Sequence, residues 1–415
     1  MKLSQVFTKT TKTNPSNEDA RHAKLLIQAG YIHKEMAGVY SYLPFGKMVL
    51  DKIAQIIREE MNLIGAFEVQ MSVLQPKELW EKTDRWDDNK VDNWFKTKLN
   101  SGQELGIGLT HEEPIVDSLI SFVSSYRDLP IYVYQIQNKF RNELRAKSGL
   151  LRGREFAMKD LYSFSLNEEE HKQFYEKVVD AYFKIYERLG LRSDTFRTYA
   201  DGGIFSSDFS DEFQTLSELG EDRIYLDEKR KIAINKEVYN SENLKKIGLD
   251  ASQLVKRRAI EVGNIFSLGT KYTDALGMYY TNQSGVRKSI VMGCYGIGVS
   301  RLMGVIAEKF CDNFGLVWPK AIAPAQVYLI AVSTDQETLS KTQKLYDMLT
   351  QKSIDVIYDD RDVRIGEKFA DADLLGIPIR AVISPKHADR EVAIKQRIEK
   401  TEKVFQYADL INLAQ

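Results

Sequence analysis

Nine residues, Gly293-Cys294-Tyr295-Gly296-Ile297-Gly298-Val299-Ser300-Arg301, constrain this chain more than any other stretch. They follow an alternating run, Arg287 to Met292, that predicts a strand, and they lead into apolar spacing that predicts a helix over Leu302 to Phe310. Three glycines let backbone pass close to a ligand, and a helix N-terminus favours negative charge. Arg301 would stand in the first turn of that helix, where a cation is poorly matched to the helix dipole. An anion such as a polyphosphate in front of it would resolve the mismatch. A surface arginine after a glycine-rich turn is the plainer alternative, and the segment alone leaves both open.

A chain of 415 residues has room for two or three domains, each with its own core. Met1 to Asp19 lacks the apolar stretch of a signal peptide, and no run of about 20 apolar residues could span a bilayer. No membrane contact is therefore expected. Two cysteines, Cys294 and Cys311, cannot form a disulfide framework or a four-cysteine zinc site. The 5 histidines form no metal-ligand pair, so neither zinc nor a structural metal is expected, and a reducing cytoplasm is the natural compartment. A net charge of -1 leaves nucleic-acid contact to local patches. Candidates are Lys139, Arg141, Arg145, Lys147, Arg152 and Arg154 in one run, and Lys256-Arg257-Arg258. Each reads equally as a solvated face.

Helical spacing covers Ala20 to Ala29 and Gly46 to Met61, and Gly65 ends the second helix. Ala66 to Val73 reads as an extended run. Ile131 to Arg141 and Arg154 to Phe164 read as strands joined by a basic, glycine-bearing loop, with a helix over Glu168 to Leu189 behind them. The segment Glu221 to Arg258 is charged, weakly patterned and shorter than the roughly 50 residues of a minimal domain. A proline-punctuated linker spans Trp318 to Pro324. Beyond it, strands at 327–332, 354–358 and 379–383 alternate with helices at 336–352 and 366–375, which argues for a small α/β domain.

On the strand ending at Phe140, Arg141 and Glu143 would project together. The guanidinium can bracket a phosphate and a carboxylate, while Glu143 can accept from an exocyclic amine such as that of adenine. Phe156 on the next strand offers a stacking surface, with Arg154 on the same face and Arg152 in the hairpin loop. A cross-strand salt bridge beside a core phenylalanine explains the same residues. In Leu109-Thr110-His111-Glu112-Glu113, Thr110 and Glu112 share a face if extended and would receive a protonated amine. His111 would point away as a structural residue. Thr110 capping a helix over 115–123 competes with this reading. There is no P-loop, no dinucleotide glycine spacing, no nucleophile elbow and no plausible Cys/His pair. Arginine clamps without a nucleophile suit a substrate that brings its own, such as a carboxylate attacking the α-phosphate of ATP.

These residues resemble the prolyl-tRNA synthetases, class II aminoacyl-tRNA synthetases of bacterial type, over nearly the whole chain. Class II motif 1 is similar to Gly38-Val39-Tyr40-Ser41-Tyr42-Leu43-Pro44-Phe45-Gly46 and the helix after it. Motif 2 is similar to Phe140–Phe164, including Leu150-Leu151-Arg152-Gly153-Arg154-Glu155-Phe156, and motif 3 to Gly293–Arg301. The resemblance implies an α+β catalytic domain with an antiparallel sheet over residues 1–220 and 259–318. It implies an α/β anticodon-binding domain over 319–415 and a homodimer built on motif 1. Thr110 and Glu112 would hold the proline imino group, with Glu212 nearby in the proline site, and Phe164, Phe266 and Cys294 would line its pocket. Arg141 would meet the proline carboxylate and the ATP α-phosphate, with Glu143 on the adenine amine and Phe156 on its face. Arg152 and Arg301 would hold the outer phosphates, with magnesium shared between phosphate and Glu261, and Asn264 beside them. Asp359, Arg361 and Phe369 would face the anticodon of tRNA(Pro).

Three departures stand out. Ser165 and Asn264 replace histidines common in the family's bacterial members, so retuned contacts are expected there. Residues 221–258 would be a short remnant where many members carry an entire editing domain, so cis-hydrolysis of alanyl-tRNA(Pro) is not expected. Two other implied readings are a threonyl or glycyl synthetase, and a non-catalytic synthetase-like nucleic-acid-binding subunit.

Overall fold

The computed structural model describes residues 1–16, 18–144, 146, 148–203 and 209–415. It divides into two compact units, one of residues 37–39 and 54–302, the other of 1–36, 40–53 and 303–415. The N-terminal segment packs with the C-terminal sheet, where the Met1 ammonium donates to the Val356 carbonyl at 2.7 Å and Tyr31 Oη–H to that of Leu375 at 2.7 Å.

In the larger unit a nine-stranded sheet comprises β1 (Phe67–Glu68), β2 (Ile131–Phe140), β3 (Glu155–Ser165), β4 (Thr195–Ala200), β5 (Ser210–Leu216), β6 (Asp222–Asp227), β7 (Ile232–Asn235), β8 (Leu254–Gly269) and β9 (Val291–Gly298). Their order is β5-β4-β7-β6-β8-β9-β3-β2-β1, and all pairings are antiparallel except β4–β7 and β1–β2. Helices α1 (Glu112–Leu119), α2 (Glu168–Arg188) and α3 (Val299–Lys309) accompany it.

The turn offered as the plainer alternative for the glycine-rich segment is not what forms: the segment is β9, paired through its backbone to β8 and β3, with α3 starting directly after it. Ladder bonds on both edges outweigh the poor strand propensity of glycine. Alternation then puts Cys294, Gly296 and Gly298 on one face and Gly293, Tyr295 and Ile297 on the other. A Cβ on Gly293 would come within 2.4 Å of Tyr295 Oη and 2.8 Å of the His171 ring on α2, so this glycine serves packing rather than a ligand. Residues 221–258, expected to be weakly patterned, supply β6, β7 and the start of β8. They carry a core of Ile234, Leu244 and Leu249, beside which Tyr225 and Tyr239 stack at 3.9 Å.

Helix α2 buries Phe174, Val178, Tyr182, Ile185 and Tyr186 on the Tyr295 side of the sheet. The other side carries a cluster including Trp80, Trp94, Leu109, Tyr162, Phe164 and Cys294. Each such fully buried side chain contributes about 1.5–3 kcal/mol of hydrophobic stabilisation.

The second unit holds β10 (Val327–Ala331), β11 (Val356–Asp359), β12 (Ile379–Ile383), β13 (Glu391–Gln396) and β14 (Lys403–Gln406), with helices α4 (Gln336–Gln351) and α5 (Ile365–Leu375). The order is β11-β10-β12-β13-β14, parallel through the first three and antiparallel after them. The alternation of strands and helices is as expected, and the last two strands extend it. Val327, Leu329, Leu345, Leu349 and Ala381 form the core.

Candidate active site

The β2–β3 hairpin places Lys139 opposite Phe156 and Phe140 opposite Glu155, and the Arg141 N–H donates to the Arg154 carbonyl at 2.8 Å. Gly38 backs this hairpin at φ +77°, where its carbonyl accepts from the Arg154 N–H at 2.7 Å and a Cβ would lie 2.5 Å from that of Ala146. On β3, alternation turns Phe156, Met158, Asp160, Tyr162 and Phe164 toward the face shared by Cys294, Gly296 and Gly298. The Arg141 guanidinium lies 5.3 Å from the centre of the Phe156 ring. Among the described residues it has no ion-pair partner. Burial, and after it the Arg301 guanidinium, lowers its pKa. An enclosed arginine facing a second arginine is a strong anion site.

Arg301, in the first turn of α3 as expected, donates from Nε to the Leu151 carbonyl at 2.8 Å. Its Nη1 donates to the Glu261 carbonyl at 2.8 Å and to Glu261 Oε2 at 3.1 Å. Asn264 Nδ2 donates to Glu261 Oε1 at 2.8 Å. A Cβ on Gly296 would come within 2.4 Å of Met158 Cε and 2.6 Å of Asn264 Oδ1, so this glycine makes the floor of the site possible. Arg152 donates from Nε and Nη2 to Glu143 Oε2 at 3.0 and 2.8 Å. Arg141, Glu143, Arg152, Phe156, Glu261, Asn264 and Arg301, every residue expected around ATP, line one cleft of about 530 Å³.

At the other end, the Thr110 hydroxyl lies 2.8 Å from both oxygens of the buried Glu112 carboxylate. The competing capping role is not seen: the N-cap of α1 is His111, with no side-chain cap bond. Cys294 Sγ–H donates to Glu112 Oε1 at 3.4 Å, and burial followed by Glu112 raises the thiol pKa, so it stays protonated. Phe164 and Cys294 belong to one apolar cluster, and Phe266 packs against it.

Sequence reasoning missed Arg85, which is buried between two carboxylates. Its Nη1 lies 3.2 Å from Glu112 Oε2 and 3.0 Å from Glu113 Oε1, with the Trp80 and Tyr272 rings at 4.9 and 5.4 Å. Its setting, Asp84-Arg85-Trp86-Asp87-Asp88, reads as surface, and no periodicity marks it as interior.

Glu212, expected near Thr110 and Glu112, has its hydrogen-bond partners elsewhere among the described residues. Glu212 lies on β5 opposite Asn264, accepts from Gln214 Nε2 and Asn235 Nδ2 at 2.8 and 3.0 Å, and has its pKa pushed up to about 8 by burial and then by Glu261. Its carboxylate thus stands beside Glu261 and Asn264. Ser165 is buried on the face of β3 opposite Phe164. Within the basic run, Arg145 and Lys147 lie outside the described residues. Lys139 is buried, and Arg154 donates to the Glu143 and Ala37 carbonyls, so the run is not a simple solvated face. In the second patch, Arg257 pairs with Glu228 at 2.6 Å and Arg258 donates to the Gly220 carbonyl.

In the second unit the Asp359 side chain is fully buried, which is incompatible with direct anticodon contact. It accepts from Arg361 Nε and Nη2 at 2.8 and 2.7 Å and from Tyr328 at 2.7 Å. Arg361 also pairs with Asp371 at 2.7 Å, and Phe369 is half-buried beneath the Arg380 guanidinium at 4.5 Å. Among the described residues no group of three or more His, Cys, Asp or Glu side chains is arranged to hold a metal ion, and no helix is long and apolar enough to cross a membrane.

Residues 95–310 match the tRNA synthetase class II core domain (G, H, P, S and T), and residues 326–415 match the anticodon binding domain. With the antiparallel sheet and its arginine-lined cleft, these define a class II aminoacyl-tRNA synthetase. The chain is 37% identical to the proline–tRNA ligase of Bartonella quintana over 99% of both chains, and 38% identical to that of Agrobacterium fabrum over 96% of both. It belongs to the prolyl-tRNA synthetase family. Its fold is shared by the prolyl-tRNA synthetase of Giardia lamblia in complex with prolyl-adenylate, with a TM-score of 0.78 at 19% identity over 93% of this chain and 74% of that one.

Proposed function

We propose that the chain is a proline–tRNA ligase whose cleft joins proline to ATP and then to tRNA(Pro). A proline carboxylate oxygen attacks the α-phosphorus, the bond to pyrophosphate breaks, and prolyl-adenylate remains. The 3′-terminal hydroxyl of the tRNA then attacks the prolyl carbonyl, loses its proton, and AMP leaves. The observation that carries this reading is Arg141: an enclosed guanidinium with no ion-pair partner among the described residues, over the Phe156 ring and facing the Arg301–Glu261 pair.

Arg141 bridges the attacking carboxylate and the α-phosphate, which is catalysis by positioning and by stabilising phosphate charge. Glu143 parts from Arg152 to accept the adenine amine, freeing Arg152 for the outer phosphates. Arg301 reaches the same phosphates through Nη2 while Nε and Nη1 anchor it. Thr110 and Glu112 receive the imino group, and Phe164, Phe266 and Cys294 pack against the ring. Magnesium, when bound, neutralises developing phosphate charge. Glu261, whose carboxylate lies in the cleft beside Arg301 and Asn264, would be the side chain to hold it.

With residues 221–258 built into the sheet, no cis-editing of alanyl-tRNA(Pro) is proposed. A homodimer fits the exposed Leu63, at the end of the helix Pro44–Leu63, and the exposed Phe67 on the edge strand β1. The two free thiols suit a cytoplasmic enzyme. Arg361 and Phe369 are retained as candidates for the anticodon side, with Asp359 as the buried anchor of Arg361. Charging assays test the proposal: tRNA(Pro) should accept labelled proline in an ATP-dependent reaction, and failure to charge it would overturn the assignment.

A further inference from the structure

Beneath the amino-acid end of the cleft lies a polar chain that includes His111, the one member the sequence reading took as structural. His111, Lys139, Asp160 and Tyr162 are each at most 2% exposed. Lys139 Nζ lies 2.8 Å from Asp160 Oδ1 and 3.0 Å from His111 Nδ1. An ammonium has only donors, so His111 Nδ1 accepts and Nε2 carries the proton, which it donates to the Ser72 carbonyl at 3.0 Å. Burial and then Lys139 push the His111 pKa down to about 4, in keeping with a neutral ring. Tyr162 Oη–H donates to Asp160 Oδ2 at 2.8 Å and accepts the His111 backbone N–H at 3.2 Å. Gln135 Nε2 donates to the same Asp160 oxygen at 2.9 Å.

Position distinguishes this chain from an ordinary buried ion pair. His111 sits between Thr110 and Glu112 and is the N-cap of α1. Lys139 lies two residues before Arg141, while Asp160 and Tyr162 share the site face of β3. Buried ion pairs are weak contributors to stability, and apolar replacements of similar volume are often neutral or better. A fully connected polar chain instead fixes one geometry.

We propose that His111, Lys139, Asp160 and Tyr162 are positioning residues that hold the Thr110–Glu112 loop in register with the β2–β3 hairpin, and so set the site for the proline imino group. This rests on the proline–tRNA ligase reading. The hydroxyl of Tyr162 fixes the loop by its backbone, and Lys139 fixes it through the imidazole ring.

Proline-dependent ATP–pyrophosphate exchange on the full chain, titrated separately in proline and ATP, tests it. Tyr162→Phe, which keeps volume, and His111→Leu should each raise KM for proline about tenfold or more, the effect of one buried hydrogen bond, with KM for ATP within about twofold. His111→Asn, whose amide oxygen can replace Nδ1 as acceptor for Lys139, should recover most of the loss. If His111→Leu does not fold, Tyr162→Phe and His111→Asn carry the comparison. Parallel rises in both KM values, or no change in either, would overturn the proposal. So would an asparagine variant that folds and performs no better than leucine. Absence of exchange in the parent enzyme would instead sink the ligase reading itself.

Discussion

Arg301→Ala separates a phosphate clamp from a structural strut. The substitution removes hydrogen bonds to the Leu151 carbonyl and to both the carbonyl and carboxylate of Glu261. These are partly exposed, since the two side chains keep 27% and 26% of their accessible surface, so each is worth the low end of about 0.5–1.5 kcal/mol net. The stability loss should be about 1–3 kcal/mol, small enough for the variant to remain folded at assay temperature. Loss of a cation aimed at the departing outer phosphates is larger in effect, about 100- to 1000-fold in rate by analogy with a removed oxyanion donor. Exchange measured at saturating proline with ATP titrated should therefore fall by at least two orders of magnitude, roughly 3 kcal/mol, with tRNA binding in a filter assay little changed. Arg301→Lys should recover little, because an ammonium cannot span Leu151 and Glu261 while presenting a second nitrogen to the nucleotide. Exchange within about threefold of the parent in a variant with a lowered melting temperature would show that Arg301 is only a strut, and the phosphate role would fall.

Three other outcomes follow from the same geometry. Gly296→Ala should drive a methyl into Asn264, which is tied to Glu261 and through it to Arg301, costing about 1–3 kcal/mol of overpacking; KM for ATP should rise more than KM for proline, and equal shifts would contradict this. Lys159 is fully buried, donates to Tyr182 Oη and to the Tyr295 carbonyl, and has its pKa lowered from 10.5 to about 7, chiefly by burial. The unfolded chain then binds a proton that the folded one does not across that window, so the Lys159 contribution makes stability rise between about pH 7 and pH 10.5 by up to about 1.4 kcal/mol per unit. Urea melts of Lys159→Met should lack this slope, and an identical slope in parent and variant would refute the assignment. Finally, a pocket shaped for proline rejects the smaller alanine by only about 1–3 kcal/mol, so alanyl-tRNA(Pro) should form. Preformed alanyl-tRNA(Pro) should stay intact with the isolated enzyme, and enzyme-dependent deacylation would count against it.

The grouping of the cleft residues was legible in the sequence because its parts are local. Arg141, Glu143, Arg152 and Phe156 sit in one hairpin, and alternation alone assigns their faces. Arg301 was legible because a cation in a first helical turn is a mismatch that asks for a cause. Gly293–Gly298 was left open in the sequence, since glycine favours a turn locally and only two neighbouring strands decide that it is extended. Arg85 and Glu212 depend on contacts between segments far apart in the chain, which spacing cannot reveal. Asp359-Asp360-Arg361 looked like a charged surface because a buried ion pair and an exposed one have the same letters. His111 was rightly placed facing away from Thr110 and Glu112, yet its ring bonds to Lys139 and Ser72, and only the fold brings those partners to it.

Amino-acid-dependent ATP–pyrophosphate exchange tests the central claim most directly. Exchange with proline should far exceed exchange with threonine or glycine, and it should be lost in Arg141→Ala. Exchange driven by threonine or glycine would contradict the assigned substrate. No exchange with any amino acid would contradict catalysis at this site, and undiminished proline exchange in Arg141→Ala would remove the residue on which the mechanism turns.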